Sequence, residues 1–308
     1  MEKIIVTGGA GFIGSTFIEE CINRYKNIEI VCIDNLSTGK LSNIPNNTNI
    51  TFIEKDISNI DGKSKDLISI CKNANAIFHF AAKARVQPSI QDPISFNDVN
   101  VRGTLNLLEL SRYANIKKFI FSSSSSIYGN TNLFPTPETA ENCPLSPYGL
   151  QKLIGEQYCQ LYSRIHGIDT VCLRYFNVYG NKMTTEGAYC LVMGIFTNLK
   201  KQNLPLTIYG DGSQRRDFTF VGDVVEANLL AAQSDCSNGE IFNVGNGDNV
   251  SIKEIANIFN HPIEYKPARL EPFQNLADNS KARSILGWKP TGNVKDWLNE
   301  YLNNYLEK

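Results

Sequence analysis

The stretch Val6-Thr7-Gly8-Gly9-Ala10-Gly11-Phe12-Ile13-Gly14 decides the fold. The run from Lys3 to Val6 predicts a buried strand, and the residues from Ser15 to Cys21 predict the start of a helix. The glycines between them allow a tight turn and a close approach of the backbone to phosphate groups, which the helix N-terminus also attracts. The sequence therefore predicts a dinucleotide site at the first strand-to-helix connection.

An acidic residue, Asp34, closes the next apolar run, Ile30–Ile33, twenty positions after Gly14. A carboxylate at this spacing accepts hydrogen bonds from the hydroxyls of the adenosine ribose. It would also repel a 2'-phosphate, because no arginine or lysine follows it before Lys40. The sequence therefore predicts that NAD is preferred over NADP.

Short apolar runs recur along the chain with helical patterns between them, which is typical of a parallel sheet that is covered on both faces. These runs are Ile4–Val6, Ile30–Ile33, Thr51–Ile53, Ala76–Phe80, Phe119–Phe121, Val171–Leu173 and Ile241–Val244. They predict an α/β fold with a doubly wound parallel sheet, the Rossmann architecture. We expect this domain in residues 1–177 and about 218–245, and a smaller, interleaved substrate domain in about 178–217 and 246–308.

Composition excludes several classes of partner. A formal net charge of −1 provides no field for polyanions, and no apolar run is long enough to span a bilayer, so nucleic acid and membranes are not expected partners. The chain enters its first strand without the segments of a signal peptide, which predicts a cytoplasmic protein. The eight cysteines lack metal-ligand spacing, so buried reduced thiols are expected rather than disulfides or a metal site.

Tyr148 and Lys152 form a Tyr-x-x-x-Lys pair on a helix predicted from about Pro147 to His166, and their spacing places both side chains on one face. A phenol that works as a base near neutrality needs its pKa lowered by roughly three units, worth about 4 kcal/mol. A neighbouring ammonium and a positively charged nicotinamide ring would favour the phenolate. The spacing alone would also fit a surface helix.

A run of serines, Ser122–Ser126, follows the strand-like segment Phe119–Phe121. Ligands of open α/β sheets bind at the carboxyl ends of the strands, where these hydroxyls are expected. One of them could hydrogen-bond the reacting oxygen and pass its proton to Tyr148. A polar loop would explain the serines alone, but not their occurrence together with the glycine-rich turn and the Tyr–Lys pair.

Seven motifs together resemble those of the extended short-chain dehydrogenases/reductases, and among them those of the nucleotide-sugar 4-epimerases of the UDP-glucose or UDP-N-acetylglucosamine type. They are TGGAGFIG (7–14), DNLSTG (34–39), NVRGT (100–104), SSSSSIYG (122–129), SPYGLQK (146–152), LRYFNVYG (173–180) and RDFT (216–219). The resemblance covers essentially the whole chain. It implies a resident NAD, oxidation of the sugar at carbon 4, rotation of the 4-keto sugar about its diphosphate and reduction on the other face.

The resemblance also implies roles for individual residues. Ser124, Tyr148 and Lys152 would be catalytic, with Tyr148 as the acid/base and Lys152 as the cation that lowers its pKa and holds the nicotinamide ribose. The implied cofactor-binding residues are Gly8, Gly11, Phe12, Ile13, Gly14, Asp34, Asn35, Asp56, Ile57, Phe80, Ala81, Ala82, Asn100, Ser122, Tyr148, Lys152 and Tyr175. The implied substrate-binding residues are Ser124, Tyr148, Asn177, Ala188, Tyr189, Tyr209, Arg216, Arg269, Asn275 and Asp278.

Some of these substrate roles have alternatives. Arg216 and Arg269 would clamp the diphosphate, for which the guanidinium fork is well shaped, although structural ion pairs would also explain both residues. Asp278 would bind the uridine ribose or order its loop. The family carries a large aromatic at the position of Asn275 in enzymes restricted to plain hexoses, so Asn275 favours tolerance of an N-acetyl group.

The two residues after Ser124 separate epimerisation from other activities of the same superfamily. A 4,6-dehydratase carries Asp-Glu where this chain has Ser125 and Ser126, and a decarboxylase of UDP-glucuronate carries Glu at the second of these positions. Neutral hydroxyls cannot replace carboxylates as acids and bases, so elimination is disfavoured. UDP-glucuronate 4-epimerisation stays open. A non-catalytic NAD-binding regulatory scaffold is disfavoured by the intact serine, tyrosine and lysine set.

Two predicted helices, from about Pro93 to Ala114 and from about Pro147 to His166, carry apolar residues beyond one core-facing stripe. In members of the family, these two helices pack against the same two helices of a second subunit. A homodimer is therefore expected, although helices buried within one chain would show a similar pattern.

Overall fold

The computed structural model describes residues 1–185, 190–269 and 271–306. Its strands, in chain order, are β1 (Lys3–Thr7), β2 (Glu29–Asp34), β3 (Ile50–Glu54), β4 (Ala76–His79), β5 (Lys118–Ser124), β6 (Asp169–Tyr175), β7 (Val178–Tyr179), β8 (Leu206–Tyr209), β9 (Arg215–Arg216), β10 (Thr219–Phe220), β11 (Glu240–Val244), β12 (Val250–Ser251) and β13 (Ile263–Lys266). Its α-helices are α1 (Phe12–Arg24), α2 (Lys65–Cys71), α3 (Val86–Gln91), α4 (Pro93–Asn97), α5 (Thr104–Tyr113), α6 (Pro147–His166), α7 (Val192–Lys201), α8 (Val221–Gln233), α9 (Ile252–Ile258), α10 (Ser280–Leu286) and α11 (Val294–Leu306).

Seven strands form one parallel sheet in the order β11-β6-β5-β4-β1-β2-β3. The chain moves outward from β1 through β2 to β3 and then returns to start again at β4 on the other side of β1. This reversal creates the crevice in which open α/β sheets bind dinucleotides. The predicted doubly wound Rossmann fold is confirmed.

Both faces of the sheet are covered, which explains why β1 carries apolar residues on both of its faces. Ile4 and Val6 of β1 pack with Phe17 of α1 in one core, whereas Ile5 points to the opposite face and packs in a second core with Leu107 of α5. The side chains alternate between faces with the two-residue period of a strand. Since each face is buried, every position in β1 after Lys3 is buried.

The long helix α6 has the bounds that the sequence predicts. Ser146 caps its N-terminus by accepting a hydrogen bond from the Gly149 amide at 3.2 Å, and Pro147 occupies the first helical position. Gly167 ends the helix in the left-handed conformation at φ +66°. These local signals are strong enough to set both ends without reference to the rest of the fold.

The helix predicted from Pro93 to Ala114 is wrong as a single α-helix. The structure divides it into α4, a π-helical segment from Asp98 to Gly103, and α5. The wider turn of the π-helical segment directs the Asn100 side chain into the protein, where it is buried and hydrogen-bonded. Such π segments are frequent at functional sites.

A third core lies among α7, β8, α9 and α11, with buried members such as Phe196, Ile208 and Leu298. Three small sheets join this region, β7 with β10, β8 with β13 and β9 with β12. Helix α10 and Trp288, however, pack into the core of the large sheet. The domain boundaries given above therefore remain a prediction. Among the helices of the described residues, none combines the length and apolar character needed to cross a bilayer.

Candidate active site

The predicted site residues gather at one edge of the large sheet, because parallel strands bring their carboxyl ends together. Gly8 follows β1, Asp34 ends β2, Phe80 follows β4, Ser124 ends β5 and Asn177 follows β6. Helix α6 packs on β5 and β6 and leads back into β6, so its N-terminal turns lie at the same edge. The catalytic candidates of α6 therefore face the glycine-rich turn across the crevice.

The glycine-rich turn has room only for glycine at two positions. Gly8 adopts φ +71°, and a Cβ added there would lie 2.5 Å from the Ala81 amide nitrogen. A Cβ on Gly14 would lie 2.2 Å from the Gly8 carbonyl oxygen. These close approaches allow the start of α1 to pack against the ends of β1 and β4. The amides of the first turn of α1 then face the crevice.

The N-terminus of α1 is shaped for an anion. Gly11 occupies the N-cap and has no side chain that could cap the helix, and the first turn contains no acidic residue. The amides of the first helical turn, beginning at Phe12 and Ile13, have no partner within the helix. Together with the helix dipole they fit the diphosphate of a dinucleotide.

Replacing Gly14 with alanine is expected to lower NAD affinity about 10-fold or more, because the added methyl group would displace the turn that faces the diphosphate. A loss of about 1.4 kcal/mol in binding free energy corresponds to this factor. The added methyl meets backbone rather than a flexible side chain. Gly167→Ala is the matched control, since its Cβ would have nothing within 4 Å and only the left-handed φ is strained. Calorimetric titration should show weakened NAD binding in the first variant and unchanged binding in the second. Equal affinities would contradict the assigned turn.

Asp34 is held at the mouth of this turn. One carboxylate oxygen accepts the Ala10 amide at 3.0 Å and the other accepts the Leu36 amide at 2.8 Å. A carboxylate has about four acceptor positions, so lone pairs remain for two ribose hydroxyls. Nearby, the Asn35 amide donates to Asp56 at 2.7 Å, and Ile57 is buried beside them. These residues fit the adenosine half of NAD.

The segment after β4 forms the opposite wall of the crevice. The Phe80 amide donates to the Thr7 carbonyl at 3.0 Å, which continues the sheet to the rim. Asn100 then fixes the backbone of Lys83, accepting its amide and donating to its carbonyl, both at 2.9 Å. Ala81 and Ala82, which lie between these fixed points, are partly exposed at the crevice.

The catalytic candidates come together as the motifs predict. Ser124 is buried at the end of β5, and its hydroxyl accepts the Ser126 amide at 3.1 Å. The same hydroxyl faces the phenol of Tyr148 and stabilises its ionised form. The Lys152 ammonium is buried, donates to the Ser122 carbonyl at 2.7 Å and lies 5.9 Å from the centre of the Tyr148 ring.

The electrostatics of Tyr148 differ from the sequence-based expectation. Burial raises the pKa of Tyr148, and the groups that oppose this rise are the Ser124 hydroxyl and the Arg85 guanidinium rather than Lys152. Burial also lowers the pKa of Lys152 to about 8, so this ammonium loses its proton nearer to neutral pH than an exposed lysine does. The helical spacing brought the two residues to one face but carried no information on burial.

Two further cofactor candidates hydrogen-bond each other. The hydroxyls of Ser122 and Tyr175 are 3.2 Å apart, and the Tyr175 hydroxyl donates to Asn228 of α8 at 3.0 Å. Both hydroxyls are buried at the carboxyl edge, between β5 and β6. They fix the floor of the crevice below Lys152.

A buried ion pair supports β5 and was not found from the sequence. Arg174 of β6 donates to both oxygens of Glu156 of α6, at 2.8 and 2.7 Å, and the Ser123 hydroxyl donates to the same carboxylate at 2.5 Å. All three side chains are almost fully buried. The one available signal was an arginine within an otherwise apolar strand. This network fixes the residue that precedes Ser124.

On the substrate side, the two candidate arginines lie on neighbouring segments with different partners. The Arg269 guanidinium stacks 3.3 Å from the centre of the Tyr209 ring. Arg216 is mostly buried, pairs with Glu271 at 2.9 Å and donates to the Phe273 carbonyl at 3.3 Å. Arg269 is therefore a cation stacked on an aromatic ring. Arg216 instead forms an ion pair, which is the structural role given above as the alternative to binding the diphosphate.

The remaining substrate candidates are tied to the backbone. Asn275 accepts the Asp217 amide at 2.7 Å and the Asn177 side-chain amide at 3.3 Å. Asn177 also donates to the Asp217 carbonyl at 2.8 Å. The Asp278 side chain accepts the Ser280 amide at 3.0 Å, an arrangement that orders its loop. Ala188 and Tyr189 lie outside the described residues.

Comparison with known proteins agrees with this geometry. The family model described as "NAD dependent epimerase/dehydratase family" matches residues 4–245. The chain belongs to this family. It is 39% identical to a putative UDP-glucose 4-epimerase of Methanocaldococcus jannaschii, over 97% of both chains.

Solved structures of this family are similar over nearly the whole chain. One is UDP-glucose 4-epimerase from Thermotoga maritima with UDP-glucose, at 36% identity and a TM-score of 0.90, covering 99% of both chains. Another is UDP-N-acetylglucosamine 4-epimerase from Methanobrevibacter ruminantium in complex with UDP-N-acetylmuramic acid, at 34% identity and a TM-score of 0.91, covering 99% of this chain and 98% of that one. The predicted family, the NAD cofactor and the isomerase class are confirmed.

Proposed function

We propose that this protein inverts carbon 4 of a UDP-hexose or a UDP-N-acetylhexosamine through a transient 4-keto sugar. The observation that carries the proposal is the meeting of Ser124, Tyr148 and Lys152 at the sheet edge that also holds the glycine-rich turn. A base, a hydroxyl that stabilises it and a buried cation then stand beside the cofactor crevice. This arrangement suits removal of a proton from a sugar hydroxyl.

NAD, when bound, would supply reversible oxidation at the carbon that carries this hydroxyl. The protein residues do the proton chemistry around it. Tyr148 takes the hydroxyl proton and later returns it, and the Ser124 hydroxyl beside it favours the phenolate. Lys152 is fixed by the Ser122 carbonyl, which holds its ammonium toward the crevice. The substrate must turn between the two half-reactions, so its anchoring has to come from the nucleotide.

Elimination of water from the sugar is not supported. Ser125 and Ser126 form the short 3-10 turn after β5, at the positions where a dehydratase needs carboxyl groups. The Ser124 and Ser126 hydroxyls lie 3.1 Å apart and bond each other. No acid or base of suitable pKa is therefore provided here for a second chemical step.

For the sugar itself, we propose tolerance of an N-acetyl group at carbon 2. Asn275 stands where a large aromatic would restrict the site, and its amide oxygen is held by the Asp217 amide and by Asn177. A fixed, small polar side chain leaves room that a bulky ring would fill. It also leaves its own amide nitrogen as a donor for a polar substituent.

The test is a panel of UDP-glucose, UDP-galactose, UDP-N-acetylglucosamine, UDP-N-acetylgalactosamine and UDP-glucuronate, followed by proton NMR with the purified protein. We expect conversion of the hexose and N-acetylhexosamine pairs to their carbon-4 epimers. Conversion of UDP-glucuronate alone would replace the proposed substrate class. Failure with every sugar, while NAD is bound, would instead support a regulatory scaffold.

We also propose a homodimer formed by the α4, α5 and α6 faces. Helix α6 exposes 48% of Leu150 and 39% of Leu161, and α4 exposes 76% of Ile94. An unpaired apolar face of this kind on parallel helices suits a symmetric helix bundle with a second copy.

Leu150→Glu with Leu161→Glu is expected to give monomers in analytical ultracentrifugation, whereas the same changes at exposed Leu41 and Leu133 should leave the dimer intact. A wild-type protein that sediments as a monomer would remove the proposal.

A further inference from the structure

Arg85 is presented to the active site by a segment that the fold holds in place. The segment leaves β4, is fixed at Lys83 by Asn100 and enters α3 directly after Arg85. The Ser89 hydroxyl of α3 then accepts the Tyr148 amide at 3.2 Å, which ties the start of α3 to the start of α6. The position of Arg85 relative to Tyr148 is therefore set by hydrogen bonds between side chains and the backbone on both sides of Arg85.

The backbone of Arg85 is strained. It adopts φ +100°, a backbone conformation that residues other than glycine rarely occupy. Such residues persist where the surrounding structure holds them, and they concentrate at active sites. Here the strained residue is the one whose cationic side chain interacts with Tyr148.

One nitrogen of the Arg85 guanidinium lacks a hydrogen-bond partner among the described residues. Its Nε is buried without a hydrogen bond, and no described carboxylate pairs with it. The titratable groups that interact with it are the Tyr148 phenol and the Cys190 thiol. Since a buried guanidinium without a counter-charge is unfavourable, the anionic form of one of these neighbours would relieve it.

The groups around the Tyr148 phenol come from three elements. Arg85 faces it from the N-terminus of α3, Ser124 from the end of β5 and Lys152 from its own helix. Of the two cations, Lys152 already donates to the Ser122 carbonyl and also lies 5.0 Å over the Phe121 ring. The Nε of Arg85 has no hydrogen-bond acceptor within the described chain.

We propose that Arg85 is a positioning residue that opposes the effect of burial on Tyr148 and favours its phenolate form, a task that the motifs assign to Lys152. Arginine stays charged at every working pH, so its effect persists where a buried lysine begins to lose its proton. The inference rests on the proposed function for its role in turnover. The charge on Tyr148, however, can be measured without any sugar.

The test is the ultraviolet titration of Tyr148 in the NAD-loaded protein, isolated as the difference between each variant and the same variant carrying Tyr148→Phe. Arg85→Met is expected to raise the midpoint of phenol ionisation by about one pH unit, and the acid limb of kcat should move with it. Arg85→Lys, which restores a cation on the same backbone, should return the midpoint toward that of the wild type. Arg164→Met is the matched control, because Arg164 is exposed on α6 about 24 Å along the helix from Tyr148.

An unchanged midpoint in Arg85→Met, or an equal shift in Arg164→Met, would overturn the proposal. If Arg85→Met does not fold, the proposal is tested with Arg85→Lys alone. A midpoint of Tyr148 ionisation a full pH unit above that of the wild type would then contradict a purely electrostatic role for Arg85. The absence of turnover with every UDP-sugar would refute the proposed function but leave this titration valid. The two failures are therefore distinguishable.

Discussion

Replacing Tyr148 with phenylalanine is expected to lower kcat about 10³-fold while NAD stays bound. General acid–base catalysis typically contributes between about 10² and 10⁴ in rate, and the substitution removes only the hydroxyl that carries the proton. The ring remains in place between Ser124 and Lys152, so the crevice keeps its shape. Steady-state kinetics with the preferred UDP-sugar and a measurement of bound NAD after denaturation test both parts.

Tyr158→Phe is the matched control for this variant. Tyr158 lies on the same helix, is partly buried and packs against the core beside α5 rather than in the crevice. Its loss of a hydroxyl should change kcat less than twofold. Comparable losses in both variants, or release of NAD by Tyr148→Phe, would show that Tyr148 acts through structure and not through its proton.

The second large effect is expected on stability. Glu156→Gln should lower the free energy of unfolding by about 3–5 kcal/mol, because it leaves the Arg174 charge buried without its partner. Arg174 is 1% exposed and Glu156 is 2% exposed, so water cannot replace the lost carboxylate. The new amide also presents a donor where Arg174 and Ser123 both donate. Urea unfolding measures the change.

Glu20→Gln provides the comparison, since the Glu20–Arg24 pair lies on the exposed face of α1 and is expected to contribute less than about 1 kcal/mol. A small loss in Glu156→Gln, similar to that in Glu20→Gln, would contradict the structural role of the buried pair. If the large loss is found, activity at a temperature below unfolding should also fall, because Ser123 precedes Ser124 in β5.

The parts of the structure that local sequence determines were predictable. The glycine-rich turn, the apolar strands and α6 with its serine cap and glycine end all depend on neighbouring residues, and the structure contains each of them. The serine run and the Tyr–Lys pair were also brought to one sheet edge. Parallel strand topology makes that convergence a general consequence of the fold.

The parts that depend on contacts between distant segments were not predictable. The π-helical turn at Asn100 is explained by the backbone of Lys83, which lies on another segment. The Glu156–Arg174 pair joins a helix to a strand, and only the fold shows that both are buried. Arg85 gave no signal at all, since neither its strained backbone nor its approach to Tyr148 is encoded by its immediate neighbours.

The most direct test of the central claim is epimerisation in deuterium oxide, without added NAD, followed by proton NMR. In the proposed mechanism Tyr148 moves only the hydroxyl proton, while the hydrogen on carbon 4 leaves and returns without exchange with solvent. We therefore expect conversion of UDP-N-acetylglucosamine or UDP-glucose to its carbon-4 epimer with protium retained at carbon 4. Product that carries deuterium at carbon 4 would contradict the account, because it would show that the carbon itself is deprotonated by a base.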